Sequence, residues 1–225
     1  MKITILTICP EIFEDFLRSH SIARAEKLGL LQVKVRDIRD YAKGSFRAID
    51  DSPYGGGRGM LLRCEPVVAA IREASGEDKE TLVAALTPGG RTYDQQQARE
   101  LAGLEHLVLV CGHYEGFDER ILHFVDREIS LGDYILSGGE IGAMAVADSI
   151  ARLLPGNLKE GSAEEESFES SLLEYPQYTR PADFEGLKVP EVLLQGDHGA
   201  VEKWRKEAAL QKTRERRPDL LDRMT

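Results

Sequence analysis

The chain has no long apolar run. No stretch approaches the ~20 consecutive apolar residues that a membrane-spanning helix requires. The N-terminal Lys2-Ile3-Thr4-Ile5-Leu6-Thr7-Ile8 is too short for a signal-peptide core and lacks a cleavage site, so it reads as a first strand of a cytoplasmic protein. Cysteine is scarce: Cys9, Cys64 and Cys111 are odd in number and far apart in sequence. That spacing excludes a C-x-x-C pair and argues against a disulfide framework or a zinc site, leaving three reduced, partly buried thiols as the expectation. Neither G-x-x-x-x-G-K-[ST] nor G-x-G-x-x-G occurs, which disfavours a dinucleotide-dependent oxidoreductase. Excess positive charge is missing as well. With 29 Lys and Arg against 39 Asp and Glu, the net charge of −10 argues against wholesale nucleic-acid binding, although it says little about local patches.

What is present is an ordinary globular composition. The 225 residues are 42% hydrophobic, enough for one sizeable core plus a smaller module. Charge is partitioned along the chain. Between Lys159 and Glu174 the bias is acidic, with Glu160, Glu164, Glu165, Glu166, Glu169 and Glu174; between Lys203 and Arg217 it is basic.

The first two-thirds alternates short β-branched runs with helical patterns. Strands are expected at Ile3–Ile8, Leu31–Arg36, Leu82–Leu86, Leu107–Cys111 and, more weakly, Arg127–Leu131. Helices are expected at Pro10–Leu17, Ser21–Leu28 before a C′ Gly29, Glu65–Ala74, Asp94–Ala102 and Glu140–Leu154, the last stopped by Pro155-Gly156. This alternation predicts an α/β domain on a mostly parallel sheet. Residues 157–171 are rich in Glu, Ser and Gly and read as a flexible acidic linker. Beyond it, Val201–Leu210 and Thr213–Met224 read as two helices of a small C-terminal module. The expected divisions are thus 1–156, 157–171 and 172–225.

Four glycine-rich connections stand out: Asp50–Met60, Thr87–Arg91, Gly112–Arg120 and Ser130–Glu140. In an open α/β sheet, loops beyond the carboxyl ends of strands form the ligand crevice. Ser130-Leu131-Gly132-Asp133-Tyr134-Ile135-Leu136-Ser137-Gly138-Gly139-Glu140 is the most telling. Its uncovered backbone can hydrogen-bond the edge of a flat heterocycle while its apolar side chains pack the faces. Read alone, it is equally compatible with a tight strand-to-helix turn.

Taken together, Pro53-Tyr54-Gly55-Gly56-Gly57, Cys111–Arg120, Gly132–Glu140 and Tyr178-Thr179-Arg180-Pro181 resemble the bacterial tRNA (guanine-N1)-methyltransferase family, TrmD, of the SPOUT class. The resemblance runs from Ile3 to about Leu221. It implies a parallel-sheet methyltransferase domain with a C-terminal trefoil knot and a small helical tRNA-binding domain. General topology rules make a knot improbable, so that expectation rests on the resemblance alone. The resemblance also implies an obligate homodimer with the active site shared between subunits, S-adenosylmethionine as donor, and a magnesium requirement with no assignable ligands.

By the same resemblance the donor pocket comprises Leu86, Thr87, Pro88, Gly112, Tyr114, Glu115, Gly116, Leu131, Gly132, Asp133, Tyr134, Ile135, Leu136, Gly138 and Gly139. The acceptor is the guanosine 3′-adjacent to the anticodon, tRNA position 37. Guanine N1 is protonated at neutral pH, so methylation needs a base for that proton and a cation near O6. Arg152 matches the family's catalytic arginine. The family's base is an aspartate directly before a Ser-Phe pair, whereas this chain reads Glu164-Glu165-Glu166-Ser167-Phe168. Glu166 is the matching base and Glu165 the neighbour that could slip into register. The alternative is a catalytically weak module that binds donor and tRNA. Asp50, Tyr54, Gly55 and Gly59 match the family's N-terminal tRNA-facing loop. Glu174, Arg180, Lys203, Arg205 and Arg214 are the expected tRNA contacts of the C-terminal module, although Gln177 stands where a histidine is common.

Overall fold

A computed structural model describes residues 1–44, 47–76, 80–157, 167–168 and 172–222. The chain divides into two compact units, Met1–Leu158 and Lys159–Thr225.

The first unit is built on five strands: β1 (Lys2–Thr7), β2 (Gln32–Asp37), β3 (Thr81–Thr92), β4 (His106–Cys111) and β5 (Arg127–Ser130). All neighbours are parallel, in the order β2-β1-β4-β3-β5. Parallel strands covered on both faces become near-continuous apolar runs, and His106-Leu107-Val108-Leu109-Val110-Cys111 at the centre is buried at every position. Successive side chains alternate between two cores. Ile3, Ile5, Leu107 and Leu109 join Ile22, Val146 and Ile150 on one face. Leu6, Val108 and Val110 join Val67 and Ile71 on the other. The first layer is carried by helices α1 (His20–Lys27) and α4 (Glu140–Leu153), with α3 (Gln95–Ala102) against α4; the second is carried by α2 (Cys64–Ser75). The expected C′ glycine closes α1: Gly29 has φ +70° and its N–H donates to Glu26 O at 2.9 Å.

Two expectations need correction. β3 does not stop at Leu86. It pairs β5 through Leu86, bulges over Thr87-Pro88-Gly89-Gly90, and re-pairs at Arg91, which faces the same Ile129. The bulge needs Gly90, because a Cβ there would lie 2.6 Å from the Ile129 carbonyl carbon. In the second unit, the two expected C-terminal helices are one: α5 runs His198–Arg216 and is followed by the single turn Asp219–Asp222. Gln211 and Lys212 are good helix formers that carry the helix on, and Pro218 ends it. This unit also holds a two-stranded hairpin, Asp183–Phe184 with Leu187–Lys188.

Candidate functional site

The bulge of β3 and the loops that leave the carboxyl ends of β4 and β5 surround one cleft of about 510 Å³. Of the fifteen residues expected there, fourteen line it: Leu86, Thr87, Pro88, Gly112, Tyr114, Glu115, Gly116, Leu131, Gly132, Tyr134, Ile135, Leu136, Gly138 and Gly139. Asp133 does not. It is exposed at the apex of a tight turn closed by Tyr134 N–H donating to Gly132 O at 2.9 Å. Phe117, Leu122 and Gly142 also line the cleft and were not singled out in sequence. A signal for Gly142 existed in its spacing one helical turn after Gly139: a Cβ there would lie 2.9 Å from Leu86 Cδ1. The lining is therefore uncovered backbone with Leu, Ile and Tyr side chains and two carboxylates, Glu115 and Glu119. Such a surface can read the polar edge of a planar ring and cover its faces.

Close contact dictates Gly112, Gly138 and Gly139 of the two main loops, and a positive φ of +115° dictates Gly116. Gly139 has an ordinary φ of −78°. Its N–H donates to Gly112 O at 2.8 Å, and a Cβ on it would lie 2.8 Å from Cys111 Cα and 3.0 Å from Gly112 N. His113 and Gly138 form a further backbone bridge. On its other side the Gly112–Asp118 loop is fastened to the segment after Tyr54. Glu115 N–H donates to Met60 O (3.0 Å), Leu62 N–H to Gly116 O (2.9 Å) and Asp118 N–H to Leu62 O (3.0 Å). Asp50 anchors this segment through its pairing with Leu62. Gly55 and Gly59 turn it at φ +84° and +79°, and Tyr54 at its tip is 99% exposed. Below the loop, the guanidinium of Arg120 makes two hydrogen bonds to Asp118, at 2.9 and 2.6 Å. That pairing holds the Asp118 carboxyl well below the usual carboxylate range.

Behind the cleft, α4 starts with a buried carboxylate. Glu140 accepts the Thr7 hydroxyl at 2.7 Å and sits in the first turn, where negative charge complements the helix dipole. Burial first, then the Glu140 charge, pushes the Cys9 and Cys111 thiols up. All three cysteines are free, as expected.

Arg152 lies in the last turn of α4, half-buried. It does not line the cleft. Twelve residues of helix at 1.5 Å each put its Cα about 18 Å along the axis from Glu140. Glu165 and Glu166 lie outside the described residues. Ser167 is described, and its Oγ accepts the Glu174 N–H at 2.9 Å.

In the second unit, α5 carries six Lys and Arg against three Glu. Lys203 pairs with Glu207 at 3.9 Å, Arg214 is exposed, and the Arg205 guanidinium lies over the Tyr175 ring at 4.7 Å. Glu174 accepts the side-chain amide of Gln177, and its carbonyl accepts Lys212 Nζ at 2.9 Å. Arg180 is exposed. A groove of about 460 Å³ is lined by Pro176, Gln177, Tyr178, Lys212, Glu215 and Arg216 among others.

Fold and cleft define an α/β protein with a cleft beyond the carboxyl ends of a parallel sheet, shaped to admit a flat, polar-edged ligand and walled by loops joined through backbone hydrogen bonds. The chain belongs to the tRNA (Guanine-1)-methyltransferase TrmD family, whose model matches residues 1–223. It is 52% identical over 226 residues to a protein of Anaeromyxobacter sp. (strain Fw109-5), covering 99% of this chain and 91% of that one. A protein of Metamycoplasma arthritidis is 51% identical over 222 residues (98% and 96%), and one of Ruminiclostridium cellulolyticum 48% over 227 residues (100% and 97%). All three are named tRNA (guanine-N(1)-)-methyltransferase. The alternative of a merely binding module finds no support in these relatives. Among the described residues, no helix is long and apolar enough to cross a membrane.

Proposed function

We propose that this chain transfers a methyl group from S-adenosylmethionine to N1 of the guanosine 3′-adjacent to the anticodon, position 37 of tRNA. The observation that carries the reading is the backbone lacing of the loop after β4 to the loop after β5 and to the Met60–Leu62 segment, in a chain that matches the TrmD family over residues 1–223. The cleft suits the donor: Leu86, Leu131 and Ile135 offer faces for an adenine, loop backbone offers its edge partners, and Glu115 offers a carboxylate for ribose hydroxyls or the donor's amino group. When bound, the donor supplies an electrophilic methyl on a sulfonium.

The remaining chemistry falls to side chains. Glu166 takes the N1 proton, and the freed electron pair forms the bond to the methyl as the methyl–sulfur bond breaks and its electrons return to sulfur, leaving a neutral thioether. Arg152 holds the charge that collects on O6, using a guanidinium that stays protonated throughout. Glu166 has one methylene more than the family's aspartate, and a base misplaced by about 1 Å can cost on the order of 10²-fold in rate. The tRNA is held by Lys203, Arg205 and Arg214 of α5 with Glu174 and Arg180, and by Asp50, Tyr54, Gly55 and Gly59 of the first unit.

The proposal includes a homodimer with shared sites. Its support is the separation of about 18 Å along α4 between Arg152 and the cleft end of the helix, together with exposed apolar residues at that end, Ile135 (79%) and Ile141 (54%). The trefoil knot of the SPOUT class, a 157–171 linker and a cytoplasmic location belong to the same reading. Magnesium does not fit the described residues. Their one cluster of potential ligands is Cys9, His113 and Glu140, and a thiol and an imidazole are poor partners for a cation that demands oxygen. No step here runs through magnesium.

Purified protein incubated with S-adenosylmethionine and a tRNA bearing G at position 37 yields N1-methylguanosine by mass spectrometry; no product would sink the reading. Arg152→Ala lowers kcat and leaves donor affinity unchanged. Mixing Arg152→Ala chains with cleft-defective Gly139→Ala chains restores activity if sites are shared. A large rate gain in Glu166→Asp identifies Glu166 as a handicapped base.

A further inference from the structure

We infer that Cys9, His113 and Glu140 form a binding site for a borderline-soft divalent cation of the zinc class, behind the wall of the donor cleft. This inference is independent of the proposed reaction. The three residues come from separate elements that the sheet order brings together. Cys9 follows β1, His113 follows its neighbour β4, and Glu140 opens α4. Their potential ligand atoms all lie within 4.8 Å of one another. Cys9 Sγ is 3.9 Å from His113 Nε2, close to the separation of about 3.5 Å between ligand atoms on a tetrahedral zinc.

Three features distinguish the cluster from a chance meeting of polar side chains. Glu140 is only 4% exposed, and its orientation is set by the Thr7 hydroxyl at 2.7 Å, the kind of outer contact that aims a metal-bound carboxylate. Among the described residues, no lysine or arginine pairs with Glu140. A buried carboxylate without a countercharge is costly, and a cation would supply one. The donor set of sulfur, imidazole nitrogen and one carboxylate selects zinc or cobalt over magnesium or calcium. Three protein ligands leave a fourth position for water.

Loading has a defined proton balance. The Tyr114 N–H donates to His113 Nδ1 at 3.0 Å, so the neutral ring carries its proton on Nε2, facing Cys9. As the cation binds, the Cys9 thiol releases its proton to solvent and forms the sulfur–metal bond. The His113 proton moves by way of solvent from Nε2 to Nδ1, and the freed Nε2 lone pair takes the metal. The Tyr114 hydrogen bond is then lost.

The test is titration of the chelator-treated full-length protein with Co²⁺. The expected result is one cobalt per chain with a near-ultraviolet thiolate-to-cobalt band, displaced by Zn²⁺. The band disappears in Cys9→Ser and persists in Cys64→Ser, with both variants unfolding at the unmodified protein's temperature in chelator. His113→Asn, whose side-chain oxygen can still accept the Tyr114 N–H while the Nε2 ligand is gone, weakens cobalt binding at least tenfold and guards against misfolding of the Cys9 variant. Absence of the band, or its survival in Cys9→Ser, would overturn the assignment.

Discussion

The Glu115 side chain fills the space that a Cβ on Gly59 would need: its Oε1 is 2.5 Å and its Cδ 2.7 Å from that position. Two motifs more than fifty residues apart in sequence thus share one site, and the cleft carboxylate is seated against the loop that carries Tyr54.

Gly59→Ala must therefore move Glu115 and also strain a backbone at φ +79°. Donor affinity is expected to fall about tenfold, as would follow from misplacing one charged hydrogen-bonding group worth ~1.5 kcal/mol. Gly56→Ala is the control. It has φ +80° with nothing within 4 Å of its Cβ, so it pays only the left-handed strain of ~1 kcal/mol and leaves donor affinity intact. Calorimetric titration with S-adenosylmethionine separates the two.

Gly139→Ala puts a methyl against backbone, at Cys111 Cα and Gly112 N, which cannot rotate away. The expected cost is about 1–3 kcal/mol of stability, and the separation of the loops abolishes donor binding. Urea unfolding and equilibrium dialysis report each effect on its own.

Thr7→Val keeps shape and removes a hydroxyl with two partners: it donates to Glu140 and accepts the Cys9 N–H at 2.9 Å. A hydrogen bond to a charged group contributes about 1.5–3 kcal/mol, and that range is the expected loss in urea unfolding. Thr7→Ser, which retains the hydroxyl, should recover most of it.

Tyr93 supplies a pH dependence. Burial pushes its phenol up to about 12 from an ordinary 10, while its hydroxyl pairs with Ser149 Oγ at 2.7 Å. The folded state therefore favours the protonated phenol. The stabilisation is fully present below pH 10 and is lost as pH rises toward 12, by on the order of 2 kcal/mol. Tyr93→Phe should lose about 1 kcal/mol at neutral pH, for the missing hydrogen bond, and show a flatter decline between pH 10 and 12. Denaturant midpoints across that range decide it.

The central strands were legible because parallel strands buried on both faces leave unbroken apolar runs such as Leu107–Cys111, whereas the edge strands β2 and β5 show only alternating or short apolar patterns. Helix starts and stops were legible where chemistry marks them, at Gly29, Asp94 and Pro155. The bulge in β3 was not. A Thr-Pro-Gly-Gly sequence reads as a strand end, and only the renewed pairing of Arg91 with β5 shows that the strand resumes. The C-terminal helix was split in two because its apolar pattern is weak, with Ala209 and Thr213 its only buried residues.

The cleft shows the same division. By itself the sequence determined which loops line the cleft, since close backbone approach requires glycine, as at Gly112, Gly138 and Gly139, and so does the left-handed turn at Gly116. Only the tertiary structure decided which atoms meet. That Gly59 makes room for Glu115 and that Cys9 joins His113 and Glu140 depend on strand order and on where the loops cross. Each is a contact between residues brought together by β1 and β4 lying side by side or by loops crossing above them, and no local pattern of spacing encodes such a distance.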